Sequence, residues 1–424
     1  MLRIWLLKLA ASLSRFLRLG AGSTWPGHIL LAINPSFLKE FDKKFTGKII
    51  VIAGTNGKTT TSKMVQTILE KSGKTVIHNS SGANLLNGVA SSIIDRIGWD
   101  GKLPQIAVFE VDENTLPLLL EQITPDTIVL LNLFRDQLDR YGEVDAIAQK
   151  WKKALTKLSK TTSLVLNADD PHIAFLGKDL TCKVSYFGMD NKTPYLAVRQ
   201  HAMDAVHCPN CGKRLVFEGV YFAHLGKWEC STCGFKRPVF AFLQTTSALP
   251  GMYNMYNTQA AITVAKQLKI PKKVIEMGLK HFVPAFGRQE TVKVGNKRMR
   301  LFLSKNPTGF NESIRVIKEL GGKYFLLVLN DRIPDGRDIS WIWDIDTEEI
   351  IGEGMHITVA GERVYDMALR IKYSGGANLR VEEDLRTAMR KALDEVPEEG
   401  TLYILPTYSA MLQTREIIMG RRIL

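Results

Sequence analysis

At 424 residues the chain is too long for one compact domain and has the length of two or three. Its 45% hydrophobic and 23% charged residues can build a sizeable core, which excludes a disordered chain. A formal net charge of +13 at pH 7 calls for an anionic partner, and nucleotide, nucleic acid, anionic lipid and a phosphorylated substrate all satisfy that demand.

In chain order, the first predicted element is a basic amphipathic helix in MLRIWLLKLAASLSRFLRLG. Leu2, Trp5, Leu6, Leu9, Leu13, Phe16 and Leu17 recur at helical spacing, with Arg3, Lys8, Arg15 and Arg18 between them. Such a helix lies in a membrane interface or packs on its own protein. A cleaved signal peptide is a third reading, opposed by Lys8, which interrupts the apolar run. No run of about 18 uncharged apolar residues occurs, so no spanning helix is expected. A Gly/Pro turn, GAGSTWPG, leads to a second helical stretch ending near Lys44, and residues 1–45 make up this N-terminal helical segment.

From there strands and helices alternate. KIIVIA (48–53) reads as an apolar strand, 59–71 as a helix, QIAVFEV (105–111) as a strand, and 128–133 and 163–167 as further strands. Apolar strands alternating with amphipathic helices predict an α/β unit with a parallel sheet covered on both faces, here residues 46–295. The pattern breaks between about 198 and 243 into an inserted, cysteine-containing hairpin. A new βαβ series starts near Met299 (MRLFLS, a helix from Asn311, YFLLVLN, HITVAG, a helix through Met367, TLYIL) and predicts a C-terminal Rossmann-like α/β domain over 296–424.

Strand KIIVIA runs into Gly54-Thr55-Asn56-Gly57-Lys58-Thr59-Thr60-Thr61 and then a helix, the context a phosphate loop requires. The glycines let backbone N–H groups close on phosphate oxygens, Lys58 reaches the β- and γ-phosphates, and the Thr59 hydroxyl can hold Mg²⁺. Ile52 stands where the general motif has its first glycine. Further on, Cys208-x-x-Cys211 and Cys230-x-x-Cys233 form two knuckles able to set four thiolates around Zn²⁺, while Cys182 stands apart. Four thiolates leave no open coordination position, so the expected zinc role is structural. His207 and His224 are nearby competitors for a shell the cysteines already fill. This cysteine usage fits a reducing compartment and a cytoplasmic protein.

GTNGKTT is the form of the loop found in Mur ligases and folylpolyglutamate synthase, and the chain resembles that family over several motifs in order. Glu110 and Asp112 fall in EVDE, where the family carries a metal-binding glutamate. Residues 132–139 (NLFRDQLD) resemble its Asp-His-Leu-Asp segment, with Gln137 in place of the histidine. Residues 251–257 resemble its adenine-contacting Gly-x-x-Asn-x-x-Asn, ending on Asn257, and Gly287-Arg288-Gln289-Glu290 resembles its domain-boundary Gly-Arg-x-Glu. Neither Lys150 nor Lys152 falls unambiguously where many Mur ligases carry a carbamylated lysine, so one Mg²⁺ or two are both open.

HNSSGANLLNG, LNADDP, the cysteine pairs, LSKNPTGFN and NDRIPDGRDISWIWD together resemble the MurT family, the ligase-like subunits of bacterial lipid II isoglutaminyl synthase. The resemblance implies ATP-dependent amidation of the α-carboxylate of D-glutamate in the lipid II stem peptide, giving D-isoglutamine for peptidoglycan synthesis. The ammonia would come from a separate, GatD-like glutaminase subunit. It implies ATP on Gly54 to Thr60 with Asn257 and Arg288, Mg²⁺ on Thr59 and Glu110, and catalytic roles for Lys58 and Glu110. Asp338 would complete the partner's Cys-His pair, with Asp331, Asp335, Asp344 and Asp346 as rivals, and Trp341 and Trp343 would be interface anchors. A lipid-linked substrate would give the N-terminus a reason to touch the inner face of the membrane. Two other readings stand beside this one. A standalone Mur-like or folylpolyglutamate-type ligase would join a whole amino acid, but LSKNPTGFN lacks the acidic residue ordinary Mur ligases place there. A nucleic-acid-binding protein would use Lys213, Arg214, Lys236 and Arg237, yet the ribbon lacks a stacking surface of aromatic and basic residues.

Overall fold

A computed structural model of the chain describes residues 24–420 apart from 80–82, 99, 137–142, 190–192, 194, 198–199, 201, 244–246, 286 and 377–378. The expected N-terminal amphipathic helix and Gln137 lie outside the described residues. No helix among the described residues is long and apolar enough to cross a membrane.

The helical stretch ending near Lys44 is two helices, α1 (Trp25–Ile33) and α2 (Phe37–Lys44). Pro35 divides them, because a proline disfavours helical backbone in the residue before it. Then follow β1 (Lys48–Ala53), α3 (Lys58–Lys71), β2 (Val76–His78), α4 (Leu86–Arg96), β3 (Ile106–Val111), α5 (Thr115–Leu120), β4 (Thr127–Leu130), α6 (Val144–Leu155), β5 (Ser163–Asn167), α7 (Pro171–Leu176) and β6 (Lys183–Phe187). The strands form a parallel six-stranded sheet in the order β2-β3-β1-β4-β5-β6. β1 lies between β3 and β4, which explains its unbroken apolar run: Ile49, Val51 and Ala53 enter the core on one face, Ile50 and Ile52 the core on the other. Truncating Ile50, which is fully buried, to alanine should cost about 2–5 kcal/mol.

After β6 the chain leaves the sheet for an antiparallel hairpin, β7 (Val216–Phe222) and β8 (Leu225–Glu229). Tyr221, Phe222, Ala223 and Leu225 at its tip are buried in the same core as Ile50 and Ile52, so the insertion is anchored in the central unit. Helices α8 (Met252–Gln267) and α9 (Lys272–Lys280) return to pack on α3.

The second unit contains β9 (Arg288–Val294), β10 (Lys297–Phe302), α10 (Pro307–Glu319), β11 (Tyr324–Val328), two 3₁₀ turns (Ser340–Asp344 and Thr347–Ile350), β12 (His356–Ala360), α11 (Val364–Tyr373), β13 (Leu379–Val381), α12 (Leu385–Glu395), β14 (Thr401–Pro406) and α13 (Tyr408–Met419). Its sheet order is β13-β12-β11-β14-β10-β9, parallel except for the β9–β10 pair. The sheet therefore takes in β9, which a boundary at 296 assigns to the central unit. α10 starts at Pro307, ahead of the expected Asn311, because Asn306 caps it by accepting from Gly309 N (2.8 Å) with Pro307 in the first turn. The loops after β1, β3 and β4 meet the loop after β10 in a shared cleft, as carboxyl ends of strands do in α/β folds.

Candidate active site

The loop between β1 and α3 is held open by its neighbours. Gly57 has φ +90°, and a Cβ there would stand 2.1 Å from Asn257 Oδ1, so only glycine fits between loop and α8. The segment after β4 clamps the loop from the other side. Thr55 N donates to Asn132 O (2.9 Å), Asn56 N to Asn132 Oδ1 (2.8 Å), and Phe134 N to Thr55 Oγ1 (3.0 Å). Asn257 Oδ1 accepts from Thr61 Oγ1 (3.2 Å), tying α8 to the first turn of α3. The loop thereby presents a helix N-terminus to the cleft, a site with unspent N–H groups that favours anions.

The parallel pairing of β1 with β3 sets Glu110 opposite Ile52, one residue before β1 ends. Asn79 fixes the Glu110 backbone on both sides, accepting from its N–H (2.9 Å) and donating to its carbonyl (2.7 Å). The buried Glu110 carboxylate accepts from Thr59 Oγ1 (3.4 Å) and Ser62 Oγ (3.2 Å). Burial raises its pKa, against the fields of Lys58 and Arg288. An all-oxygen set of one carboxylate and hydroxyls is what a hard cation takes, so these residues fit Mg²⁺. Asp112 is spent locally, with its Oδ1 accepting from Thr115 N (2.7 Å) at the start of α5.

Lys58 Nζ donates to Gly54 O (2.6 Å) and Thr55 O (3.2 Å) and lies 3.4 Å from Glu113 Oε2. Burial opposes ionisation of Glu113, but Lys58 and Lys305 hold its carboxyl below the usual range. Lys305, from the loop after β10, pairs with Asp136, a buried carboxylate that burial pushes upward. Asn306 exchanges side-chain hydrogen bonds with Asn56 (3.1 and 3.3 Å), so the second unit touches the phosphate loop directly. Arg288 lies in the field of Glu110, and burial lowers its pKa. Glu113, Asp136 and Lys305 fall within the segments EVDE, NLFRDQLD and LSKNPTGFN, but no role attaches to any of them there, because the ion pairs that join them form only in the tertiary structure.

Beyond the loop the cleft is walled by Phe222, Leu249, Tyr253, Phe302 and Leu303, with Asn257 and Arg288 also lining it. Neither lysine considered for carbamylation belongs to the cluster described here. Lys152 donates to the carbonyls of Phe175, Leu176 and Lys178 at the end of α7, and Lys150 is exposed beside Asn114.

The acidic loop after β11 sorts its own carboxylates. Asp335 is buried and accepts from Ser409 N (2.7 Å), Asp344 pairs with Arg135 (3.1 Å), and Asp331 lies 3.7 Å from Arg363. Asp338 is half-buried, accepts only from Ser340 N (2.8 Å) in a local turn, and has no cation partner among the described residues. It lines a small pocket together with Arg135, Asp136, Lys305 and Asn306. Trp341 packs on Phe310, while Trp343 is 46% exposed.

The four cysteines converge, with Cys208 Sγ 3.6 Å from Cys233 Sγ, Cys211 Sγ 3.5 Å from Cys230 Sγ, and all four within 4.8 Å. Zn–S bonds of about 2.3 Å in a tetrahedron put sulfurs about 3.8 Å apart, so the quartet fits zinc, and it is too open for disulfides. The two knuckles are alike: Gly212 N donates to Cys208 O (2.8 Å) and Gly234 N to Cys230 O (2.9 Å), each glycine at positive φ. His224 is buried against Asp170 (3.3 Å), outside the quartet. Cys182 is a buried thiol.

The fold and this cleft define a Mur ligase-type, ATP-binding protein. The family of the Mur ligase middle domain matches residues 52–265, and that of the MurT ligase C-terminal matches residues 303–411. The lipid II isoglutaminyl synthase (glutamine-hydrolyzing) subunit MurT of Streptococcus pneumoniae R6 is 33% identical over 428 residues, covering 96% of this chain and 94% of its own. The protein of the same name from Staphylococcus aureus COL is 33% identical over 429 residues, covering 96% and 95%. A solved pseudomurein peptide ligase type C from Methanothermus fervidus shares the fold with a TM-score of 0.69, at 24% identity over 89% of this chain and 79% of that one. The chain belongs to the MurT family.

Proposed function

We propose that this chain is the synthase subunit of a lipid II isoglutaminyl synthase, which amidates the α-carboxylate of D-glutamate in the lipid II stem peptide using ATP and ammonia from a GatD-like glutaminase. The observation that carries the reading is whole-chain similarity to MurT subunits, end to end across both units. A standalone ligase for amino acids is not favoured.

In the reaction a carboxylate oxygen of the substrate attacks the γ-phosphorus and ADP leaves, giving an acyl phosphate. Ammonia then attacks the acyl carbon, its nitrogen loses a proton, and phosphate departs with the acyl oxygen. Catalysis of this type is positioning plus charge stabilisation. Gly54 to Thr60 would cradle the phosphates with backbone N–H groups, and Lys58, Arg288 and Lys305 would offset charge on the transferred group. Thr59 and Glu110 would hold Mg²⁺, which would neutralise phosphate charge when bound. The cysteine quartet would hold a structural Zn²⁺ with no open ligand position.

Asp338 is half-buried and, among the described residues, accepts only from Ser340 N in a local turn, which suits a residue that orients the partner's histidine. The pocket it shares with Lys305 and Asp136 would lead ammonia toward the acyl phosphate. The exposed Trp343 suits an interface anchor. The test is the product of lipid II and ATP with this chain alone, with a GatD-like partner and glutamine, and with ammonium chloride. Replacement of OH by NH₂ that needs the partner only when glutamine is the donor supports the reading. A product that gains a whole amino acid overturns it.

A further inference from the structure

One buried carboxylate in the cleft serves neither the phosphate loop nor the cation cluster. Glu312 of α10 is 2% exposed and lines the cleft beside Phe222, Tyr253 and Gly309. Its Oε1 accepts from Gln200 Nε2 (3.3 Å) and Arg315 Nη1 (3.5 Å), both long contacts. Its Oε2 has no hydrogen-bond partner among the described residues. Leaving a buried acceptor unfilled is unfavourable, and native proteins seldom do so away from a ligand site.

The frame around Glu312 is fixed. Gln200 Oε1 accepts from Ala223 N (2.7 Å), and Arg315 Nη1 donates to Tyr221 O (2.9 Å), so the tip of the β7–β8 hairpin and α10 together hold the carboxylate. The cleft runs from Gly57 and Thr60 at the phosphate loop to an apolar wall of Phe222, Leu249 and Tyr253. A nucleotide with its phosphates on the loop has its nucleoside against that wall. Nucleosides bring hydrogen-bond donors there: the ribose hydroxyls and, on adenine, an exocyclic amine.

We propose that Glu312 reads the nucleoside of the bound nucleotide, its free Oε2 accepting a hydrogen bond from a ribose hydroxyl or the base amine; the proposal rests on the ATP reading above. Burial pushes the Glu312 carboxyl up to about 7 against the charge of Arg315 and the hydrogen bond from Gln200, as expected of an acceptor still lacking its donor.

The experiment is calorimetric binding of ADP, 2′-deoxy-ADP, 3′-deoxy-ADP and IDP to the full chain, to Glu312→Gln and to Glu312→Leu. The wild type should bind ADP at least about tenfold more tightly than one of the analogues. A deoxy analogue as the weak binder identifies a ribose hydroxyl as the donor. IDP as the weak binder identifies the amine, and Glu312→Gln should then prefer IDP, because its amide N–H₂ faces the inosine oxygen. In either case Glu312→Leu, which offers no acceptor, erases the wild-type ranking. Equal binding of all four by the wild type overturns the proposal even if no variant folds. So does an unchanged ranking in Glu312→Leu whose melting temperature matches the wild type. A folded wild type that binds no ADP brings down the nucleotide reading itself, a result distinct from either.

Discussion

The phosphate-loop cleft, shared by the two units, and the cysteine quartet, held by one insertion, are built in opposite ways. The quartet draws all four ligands from one insertion, and its two knuckles repeat the same backbone hydrogen bonds. Its sulfurs already stand at the spacing a single ion requires. The cleft draws on the loops after β1, β3, β4 and β10 and on α8 and α10, and it leaves charge and acceptor capacity unspent at Asp136, Glu312 and Asp338. A closed set of ligands is a structural device, whereas unspent polar groups gathered from distant segments mark where chemistry or recognition takes place.

The strongest way to break this contrast is Lys58→Ala. It should lower ATP turnover by about 10³-fold or more with either nitrogen donor, and leave the melting temperature within a few degrees of the wild type. Steady-state phosphate release beside a thermal melt checks both halves. Asp338→Asn should cut glutamine-driven amidation by about 10²-fold and leave the ammonium-driven reaction unchanged. Loss of both reactions would move Asp338 from the partner-facing role to the ATP site.

Cys211→Ser tests the opposite pole. Metal content by atomic emission should fall from one zinc per chain to none, with melting lowered by roughly 5 °C or more. Since β7–β8 also walls the cleft with Phe222, ADP affinity should fall about threefold to tenfold, far less than turnover falls in Lys58→Ala.

The smallest effect is a pH dependence. Burial raises the Glu312 carboxyl from its usual value near 4.5 to about 7, so the folded chain holds this proton more tightly. Its contribution to stability is full below about pH 4.5 and is lost as pH rises to about 7, on the order of 1–3 kcal/mol. Glu312→Gln removes that loss. Its melting temperature should therefore gain on the wild type between about pH 5 and pH 8, and a constant difference would count against the titration.

Much of both regions was legible in the residues alone. KIIVIA followed by GTNGKTT predicts a strand, a loop and a helix, and β1, the loop and α3 stand in that order. The cysteine spacing predicts four convergent thiols, and they converge. Less legible were β9, an edge strand that pairs with β10, and the start of α10, where Asn306 and Pro307 act as cap and first residue. Both depend on pairing or capping that hydrophobic periodicity does not report.

What the sequence by itself determined is the chemistry carried by short segments: the phosphate loop, the two knuckles and the apolar β1. Their conformations follow from residues within a few positions of one another. Only the tertiary structure decided that Lys305 meets Asp136 and Asn306 meets Asn56, pairs separated by 169 and 250 residues. It alone set Asp335 against Ser409, Asp344 against Arg135 and Asp331 near Arg363, and left Asp338 with no cation partner among the described residues. It alone turned Glu312, one acidic residue in an amphipathic helix, into an unfilled acceptor in the cleft. The physical reason is that these roles are set by which strand ends and helix faces the two sheets bring together, and no local pattern records that.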